Sequence, residues 1–288
     1  MSEPPAPIHA ADPRSWQASL RLAYARDGDR TVPVERRHHG PLRILKGLLP
    51  EGPALWHQTI VHPPGGIASG DRLSLEIELG ERAQALLTSP GAAKWYRCPN
   101  GPASQTLRAR VAAGASLEWL PLETILFRGT DACLDSRFDV EGDGRLIVAD
   151  LCCLGRPASG EPFDAGRLQN QLQIRHDGRL CFHEQTLIDG AHHDPGARAG
   201  FGDHPLVGML LAWAPGVDDS VVAACREAVV PGATARGEFG ATRIDRLLIA
   251  RWRGDATGDG WAALRAAWAA IRPMLLKRQA CAPRIWAT

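Results

Sequence analysis

The sequence predicts a mainly β protein of stacked or rolled antiparallel sheets, with two helices in its C-terminal part. The first observation is that Leu73, Leu75, Ile77 and Leu79 alternate with polar residues, as in a strand with one buried face. The second is a series of glycine-containing turns between short apolar segments, and the third is that helical spacing is confined to the tail. Repeated hairpins with few helical segments favour packed antiparallel sheets.

Strand and turn signals continue from Ser15 to about Ala191. A turn over residues 112–115 is expected to join one strand to a returning strand. Asp143-Gly144 and Asp177-Gly178 predict two further hairpins, because Asp-Gly supplies the positive φ angles that a two-residue turn requires.

The tail has a different pattern. The apolar run 206–213 is typical of a buried strand, although a run this short is also compatible with a helix. A first helix is predicted near residues 219–230, with capping residues before it and Pro231-Gly232 after it. A second is predicted near 259–272, where one stripe has helical spacing. The stripe consists of Trp261, Leu264, Trp268 and Ile271.

Length and composition are those of a folded protein. At 288 residues the chain is long enough to bury a core, and 44% hydrophobic with 23% charged residues is near the globular average. The Pro- and Ala-rich segment 1–14 is expected to be disordered, with a single β-rich domain over residues 15–288. A formal net charge of +1 provides no general attraction for nucleic acid or acidic lipid.

The cysteines, the first residues and the distribution of apolar residues predict where in the cell the protein lies. Seven cysteines, an odd number without a C-x-x-C pair, argue against a disulfide framework and a structural zinc site. The first residues do not resemble a signal peptide, and no apolar stretch reaches the ~20 residues of a membrane span. We therefore expect a cytoplasmic protein.

Common catalytic motifs are absent from the sequence. It contains no phosphate-binding loop, no dinucleotide-binding glycine motif, no serine-hydrolase elbow and no H-E-x-x-H. The histidine pairs His38-His39 and His192-His193 resemble metal ligands, but adjacent residues on a strand point to opposite faces, which favours exposed loops.

Several polar residues have both a structural and a functional interpretation. Glu118, Glu123, Glu161 and Glu184 lie in strand-rich sequence, either as solvated or arginine-paired acids or as part of a polar route for a cation. Asp71 enters a strand directly from a glycine-rich turn, which it either caps or offers to a ligand.

Five phrases of the sequence, in order, resemble the urease accessory protein family UreD, also called UreH. They begin at His62 (HPPGGIASGD), Leu87 (LTSPGAAKWYR), Leu117 (LEWLPLETI), Gly155 (GRPASGEPF) and Pro283 (PRIWAT). The resemblance extends from about residue 18 to the last residue. Ala68-Ser69 and Ser89 depart from the usual Val-Gly and Thr but preserve a compact turn.

The resemblance implies a urease maturation factor without catalytic activity of its own. Such a protein binds apo-urease, recruits UreF and, through UreF, the GTPase UreG, and assists nickel insertion into urease. No tightly bound cofactor is implied, only transient Ni²⁺. Asp71 and Glu184 are our candidates for the nickel path. Lys94, one of three lysines, and the terminal pair Arg284 and Trp286 are candidates for partner binding.

Two alternatives stay open at this point. One is a β-rich glycoside hydrolase that uses Glu118 and Glu123 as acid and base. The other is a binding module with no part in metal transfer.

Overall fold

The structure is a computed structural model that describes residues 15–192, 201–229 and 237–287. Over these residues the chain is mainly β, and its two α-helices lie in the C-terminal part, which confirms the predicted mainly β class with two C-terminal helices. The segment 1–14, expected to be disordered, lies outside the described residues. The strands are β1 (Gln17–Asp27), β2 (Arg30–His39), β3 (Arg43–Ile44), β4 (Leu55–Val61), β5 (Arg72–Leu79), β6 (Gln84–Thr88), β7 (Ala93–Trp95), β8 (Ala103–Val111), β9 (Ser116–Leu120), β10 (Thr124–Leu126), β11 (Thr130–Val140), β12 (Arg145–Leu154), β13 (Gly166–His176), β14 (Arg179–Asp189), β15 (Leu206–Trp213), β16 (Gly237–Ile244) and β17 (Leu247–Gly254), and the helices are α1 (Asp219–Glu227) and α2 (Thr257–Leu276).

The strands form two sheets. In the first sheet the order is β14–β13–β11–β8–β5–β1–β2. In the second sheet it is β16–β17–β15–β12–β9–β6–β4–β3, with the short strands β10 and β7 attached beside β12. Pairing is antiparallel towards the edges of both sheets. In the centre, β1, β5, β8, β11 and β13 are mutually parallel, and so are β4, β6, β9 and β12.

The predicted antiparallel pairing is therefore wrong for the centre of the protein, where the chain forms a β-solenoid. Each coil places one strand in the first sheet and the next in the second sheet: β5 then β6, β8 then β9, β11 then β12. The turn at residues 112–115 and the turn at Asp143-Gly144 consequently cross between sheets and do not close hairpins. Alternation of apolar residues specifies a strand's buried face, and it carries no information on the direction of the neighbouring strand.

The Asp177-Gly178 hairpin is confirmed. It joins β13 to β14 in antiparallel register, and both turn residues have positive φ, 47° for Asp177 and 78° for Gly178. Here the turn chemistry and the pairing agree because the two strands remain in one sheet.

A third, narrow side of the solenoid is formed by short parallel segments. β7 pairs with β10, and β10 pairs with the end of β12. The loop that precedes β5 joins the same row, because the Ile67 amide donates to the Lys94 carbonyl and the Tyr96 amide donates to the Ile67 carbonyl. Trp95 and Leu126 point inward here and are buried.

Two apolar cores lie on opposite sides of the second sheet. One fills the space between the sheets, and the other lies between the second sheet and the helices. The predicted helices near 219–230 and 259–272 correspond to α1 and α2, and α2 continues through Pro273 to Leu276. Every member of the predicted stripe on α2 is buried in the second core. Within the described residues, no helix combines the length and the apolar character needed to span a bilayer.

Candidate functional site

A cavity of about 220 Å³ lies between the two sheets. Parallel, in-register coils place equivalent residues side by side, so that Leu73, Gln105, Leu134 and Asn170 form one row across the first sheet. This row contains two amide side chains and borders the cavity. The row that contains Phe138 is wholly apolar and buried, formed with Ile77, Ala109 and Ile174. The cavity is therefore apolar towards the Phe138 row, since Phe138 also borders it, and partly polar at the Gln105 and Asn170 amides.

Asp150 contributes a carboxylate to the wall of this cavity. It lies on β12 between Val148 and Cys152, which face the first sheet, whereas Leu151 faces the helices. No described cation forms an ion pair with it. Burial, reinforced by the nearby charge of Glu184, raises the pKa of Asp150 to about 6. Burial, together with the Asp150 charge, also raises the pKa of the Cys152 thiol well above its usual value, so that this thiol is not a reactive thiolate at neutral pH.

Glu184 lies on the edge strand β14 and bridges the two sheets. Its carboxylate accepts from both terminal nitrogens of Arg251 on β17, with Oε1 3.1 Å from Nη1. The predicted path residue is thus paired with an arginine, and it is also the charged neighbour of Asp150.

Asp71 is buried and its contacts are those of a turn cap. One carboxylate oxygen accepts the Trp16 amide at 2.6 Å, and the other accepts the Ala68 amide at 2.8 Å. These bonds fix the glycine-rich turn and hold the start of β1 beside β5. The structure does not bring Asp71 and Glu184 together, because β8, β11 and β13 separate their strands, a distance of about 19 Å at ~4.8 Å per strand.

His62 is a feature that the sequence analysis did not single out. It lines the cavity, and its buried Nε2 atom forms no hydrogen bond within the described residues. Burial lowers the pKa of His62, and the opposing effect of the Asp71 charge is smaller, so the imidazole is neutral at pH 7. Its only sequence signal is that it begins the glycine-rich phrase.

A preformed metal centre is not found in the described part of the chain, where no three His, Cys, Asp or Glu side chains are grouped so that they could hold an ion. His38 and His39 are exposed at the end of β2. His192 is exposed beside Asp189, and His193 lies outside the described residues.

Glu118 is fully engaged in a buried ionic cluster on the helix side of the second sheet. It accepts from Arg272 on α2, with Nη2–Oε1 at 2.9 Å, and from the Trp268 indole at 2.7 Å. Arg272 also binds Glu51, which accepts from His57 at 2.8 Å. Burial alone would raise the pKa of Glu51, but hydrogen bonds from His57 and Arg272 outweigh this and hold the pKa below its usual value.

The hydrolase alternative is therefore wrong. Glu118 is 1% exposed and has its charge compensated, so it cannot reach a sugar or exchange protons with one. Glu123, the second carboxylate of that hypothesis, accepts the Trp261 indole N–H at 2.8 Å. Both acids bind tryptophans of α2 and thereby attach the helix to the second sheet.

The three candidates for partner binding differ in exposure. Lys94 is exposed on β7, and Arg284 is exposed in a 3-10 helix over Arg284–Ala287. Trp286 is half-buried; its indole donates to Thr88 at 2.8 Å, and its ring packs on Trp261 and Trp268. Trp286 thus anchors the last residues to the second core.

Comparisons with known proteins give one consistent result. The model of the UreD urease accessory protein family matches residues 17–287. A protein of Pseudomonas aeruginosa named urease accessory protein UreD is 47% identical over 274 residues, covering 95% of this chain and 96% of the relative. Proteins of the same name from Pseudomonas fluorescens and Nitrosococcus oceani are 47% and 44% identical, covering 95% and 96% of this chain and 96% and 92% of the relatives.

Proposed function

The chain belongs to the UreD urease accessory protein family, and from this we propose that it is a non-catalytic scaffold that binds apo-urease, UreF and, through UreF, UreG. In this proposal it acts in urease maturation by assisting nickel insertion. Support comes from the match of nearly the whole chain and from the fact that the two acids of the hydrolase alternative serve as structural ion-pair and hydrogen-bond partners. A cytoplasmic location is part of the proposal; all seven cysteines are free thiols, as in a reducing compartment.

The observation that carries the nickel role is the polar end of the cavity. Among the described residues, it offers a carboxylate without a paired cation at Asp150 and a neutral imidazole nitrogen without a hydrogen bond at His62. Ni²⁺ accepts carboxylate, imidazole and water, and an ion that must move on requires few ligands. Sparse ligands in a cavity suit passage better than storage.

Asp71 and Glu184, the candidates from the sequence, do not line this cavity themselves, but each lies near a residue that does. Glu184 is the acidic neighbour of Asp150, and a passing cation would compete with Arg251 for its carboxylate. Asp71 already accepts two amide hydrogens, so its proposed contribution is to hold the His62 loop and to add negative charge near that imidazole.

The test compares Asp150→Asn, His62→Gln and Glu184→Gln with Asp139→Asn, a control on the outer face of the same solenoid that is paired with Arg137. Each variant is co-expressed with urease and the other accessory proteins, and nickel per urease active site is measured by mass spectrometry. We expect less nickel for the cavity variants, with unchanged co-purification of the complex, and full nickel for the control. Full loading in all three cavity variants would refute the nickel path, whereas loss of the complex would show a folding or docking defect.

A further inference from the structure

Two aromatic rings and an arginine stack on the narrow third side of the solenoid, one from each of three successive coils. The Tyr96 and Phe127 rings meet edge to face with centroids 4.9 Å apart, and the Arg156 guanidinium lies 4.6 Å from the Phe127 centroid. Tyr96 also covers Gly66, where an added Cβ would lie 2.0 Å from the tyrosine ring. We call Tyr96, Phe127 and Arg156, with the flanking cations Lys94, Arg97 and Arg128, the ladder surface.

Hydrogen bonds between coils hold the backbone of the ladder surface in place. The Tyr96 amide donates to the Ile67 carbonyl at 2.7 Å and the Phe127 amide donates to the Trp95 carbonyl at 2.9 Å, so that the backbone beneath the rings is fixed by neighbouring coils. Tyr96 nevertheless leaves 38% of its surface exposed. A large aromatic side chain held rigidly and left exposed binds a partner at low entropic cost.

The charge of the ladder surface is positive. Arg128 pairs with Asp164, and Arg156 pairs with Glu161. Lys94 and Arg97 have no such partner among the carboxylates of the described residues, and both are exposed on either side of Tyr96. Two uncompensated cations around an aromatic side chain match the composition of protein-binding surfaces, in which tyrosine and arginine are enriched.

We propose that the ladder surface docks an acidic segment of a partner protein, with Tyr96 as the central anchor and Lys94 and Arg97 as the charges that orient it. This inference rests on the proposed scaffold function and specifies where one partner binds. The partner presents at least two carboxylates spaced to meet the two cations, because complementary charges accelerate encounter and set the register.

The experiment measures binding of the full chain to immobilised apo-urease and to the immobilised UreF–UreG complex at low and high salt. Lys94→Glu and Arg97→Glu should each weaken binding to one of these partners by about tenfold at low salt and less at high salt, since salt screens exposed charges. Tyr96→Ala should weaken binding to the same partner by about tenfold at both salt concentrations, because its contribution is apolar.

The control is Arg246→Glu, which reverses an exposed cation at the far end of the second sheet. Leu247 pairs with Trp213, and Trp213 pairs with Leu146 near the start of β12, about 26 Å from the Leu154 end that adjoins the ladder surface. Binding should be unchanged. Wild-type binding that persists in all three ladder variants would overturn this inference alone, and a wild-type chain that bound neither partner would overturn the scaffold function. Self-association lost in the same variants would also overturn the inference, because the occupant would be a second copy.

Discussion

Two acids on neighbouring strands of the second sheet face opposite sides and lie in opposite chemical environments. Glu118 on β9 points to the helices, where Arg272 and Trp268 satisfy its carboxylate. Asp150 on β12 points to the first sheet, where its neighbours are a cavity and another acid. The register pairs Glu118 with Ile147, so that three residues along β12 separate a compensated charge from an uncompensated one.

The difference indicates that the two sides of the sheet serve different purposes. On the helix side, Glu118 and Glu51 share the Arg272 guanidinium beside the second core, and this arrangement attaches α2 to the sheet. On the cavity side, a carboxylate with a raised pKa opposes folding at neutral pH, because its charged form is poorly solvated. Destabilising polar groups of this kind are typical of functional sites.

The largest effect is expected on the helix side, from Arg272→Met. Removing the guanidinium leaves Glu118 and Glu51 buried without their main cation, which should lower the free energy of unfolding by about 3–5 kcal/mol. Urea denaturation monitored by circular dichroism measures the loss. The matched control is Arg251→Met at the half-exposed Glu184 pair, which should cost about 0.2–1 kcal/mol.

Adding Glu118→Gln to Arg272→Met should restore part of the lost stability, since the uncompensated carboxylate is then neutral. If Arg272→Met and Arg251→Met lowered the free energy of unfolding equally, the contrast between the two sides of the sheet would be wrong.

A smaller effect of opposite sign is expected on the cavity side, from Asp150→Asn. The folded pKa of Asp150, about 6, lies above the unfolded value near 3.8, so ionisation disfavours the fold increasingly as pH rises from about 4 to 6. The amide avoids this penalty, and stability should rise by roughly 1–3 kcal/mol at pH 8 but hardly at all at pH 4. Thermal unfolding of both proteins across this pH range provides the measurement. A pH-independent gain would show that the raised pKa is not its cause.

The sequence predicted the strands better than their arrangement. The alternation from Leu73 to Leu79 correctly identifies β5 and its buried face, yet β5 pairs in parallel with β1 and β8. Asp143-Gly144 and Asp177-Gly178 are the same dipeptide, but only the second closes a hairpin. Whether a chain returns within one sheet or crosses to another depends on which sheet buries the next strand, and that is a property of long-range packing.

The site was less predictable than the fold. The structural role of Glu118 could not be predicted, because its partner Arg272 is 154 residues away in the sequence. A charge pattern does not reveal ion pairs between residues so far apart. Asp150 could not be predicted as a site residue, because a single acid within an apolar strand has the same local sequence whether it faces a cavity or solvent. His62 is distinguished by a buried nitrogen that forms no hydrogen bond with the described residues, and the sequence around it does not reveal this.

The smallest effect on stability is expected from Glu184→Gln, at the ion pair that connects the two sheets. Glu184→Gln removes the negative charge beside Asp150, so the pKa of Asp150 should fall towards its ordinary value. It should remain above that value, because burial is the larger cause. Stability at pH 7 should change by less than about 1 kcal/mol, since the lost ion pair with the half-exposed Arg251 is partly offset by relief of repulsion between the two acids.

Carboxyl-carbon NMR titration, with Asp150→Asn to assign the signal, measures the pKa of Asp150. If the pKa of Asp150 were unchanged in Glu184→Gln, the charge of Glu184 would not affect Asp150, and Glu184 would have no part in the polar end of the cavity.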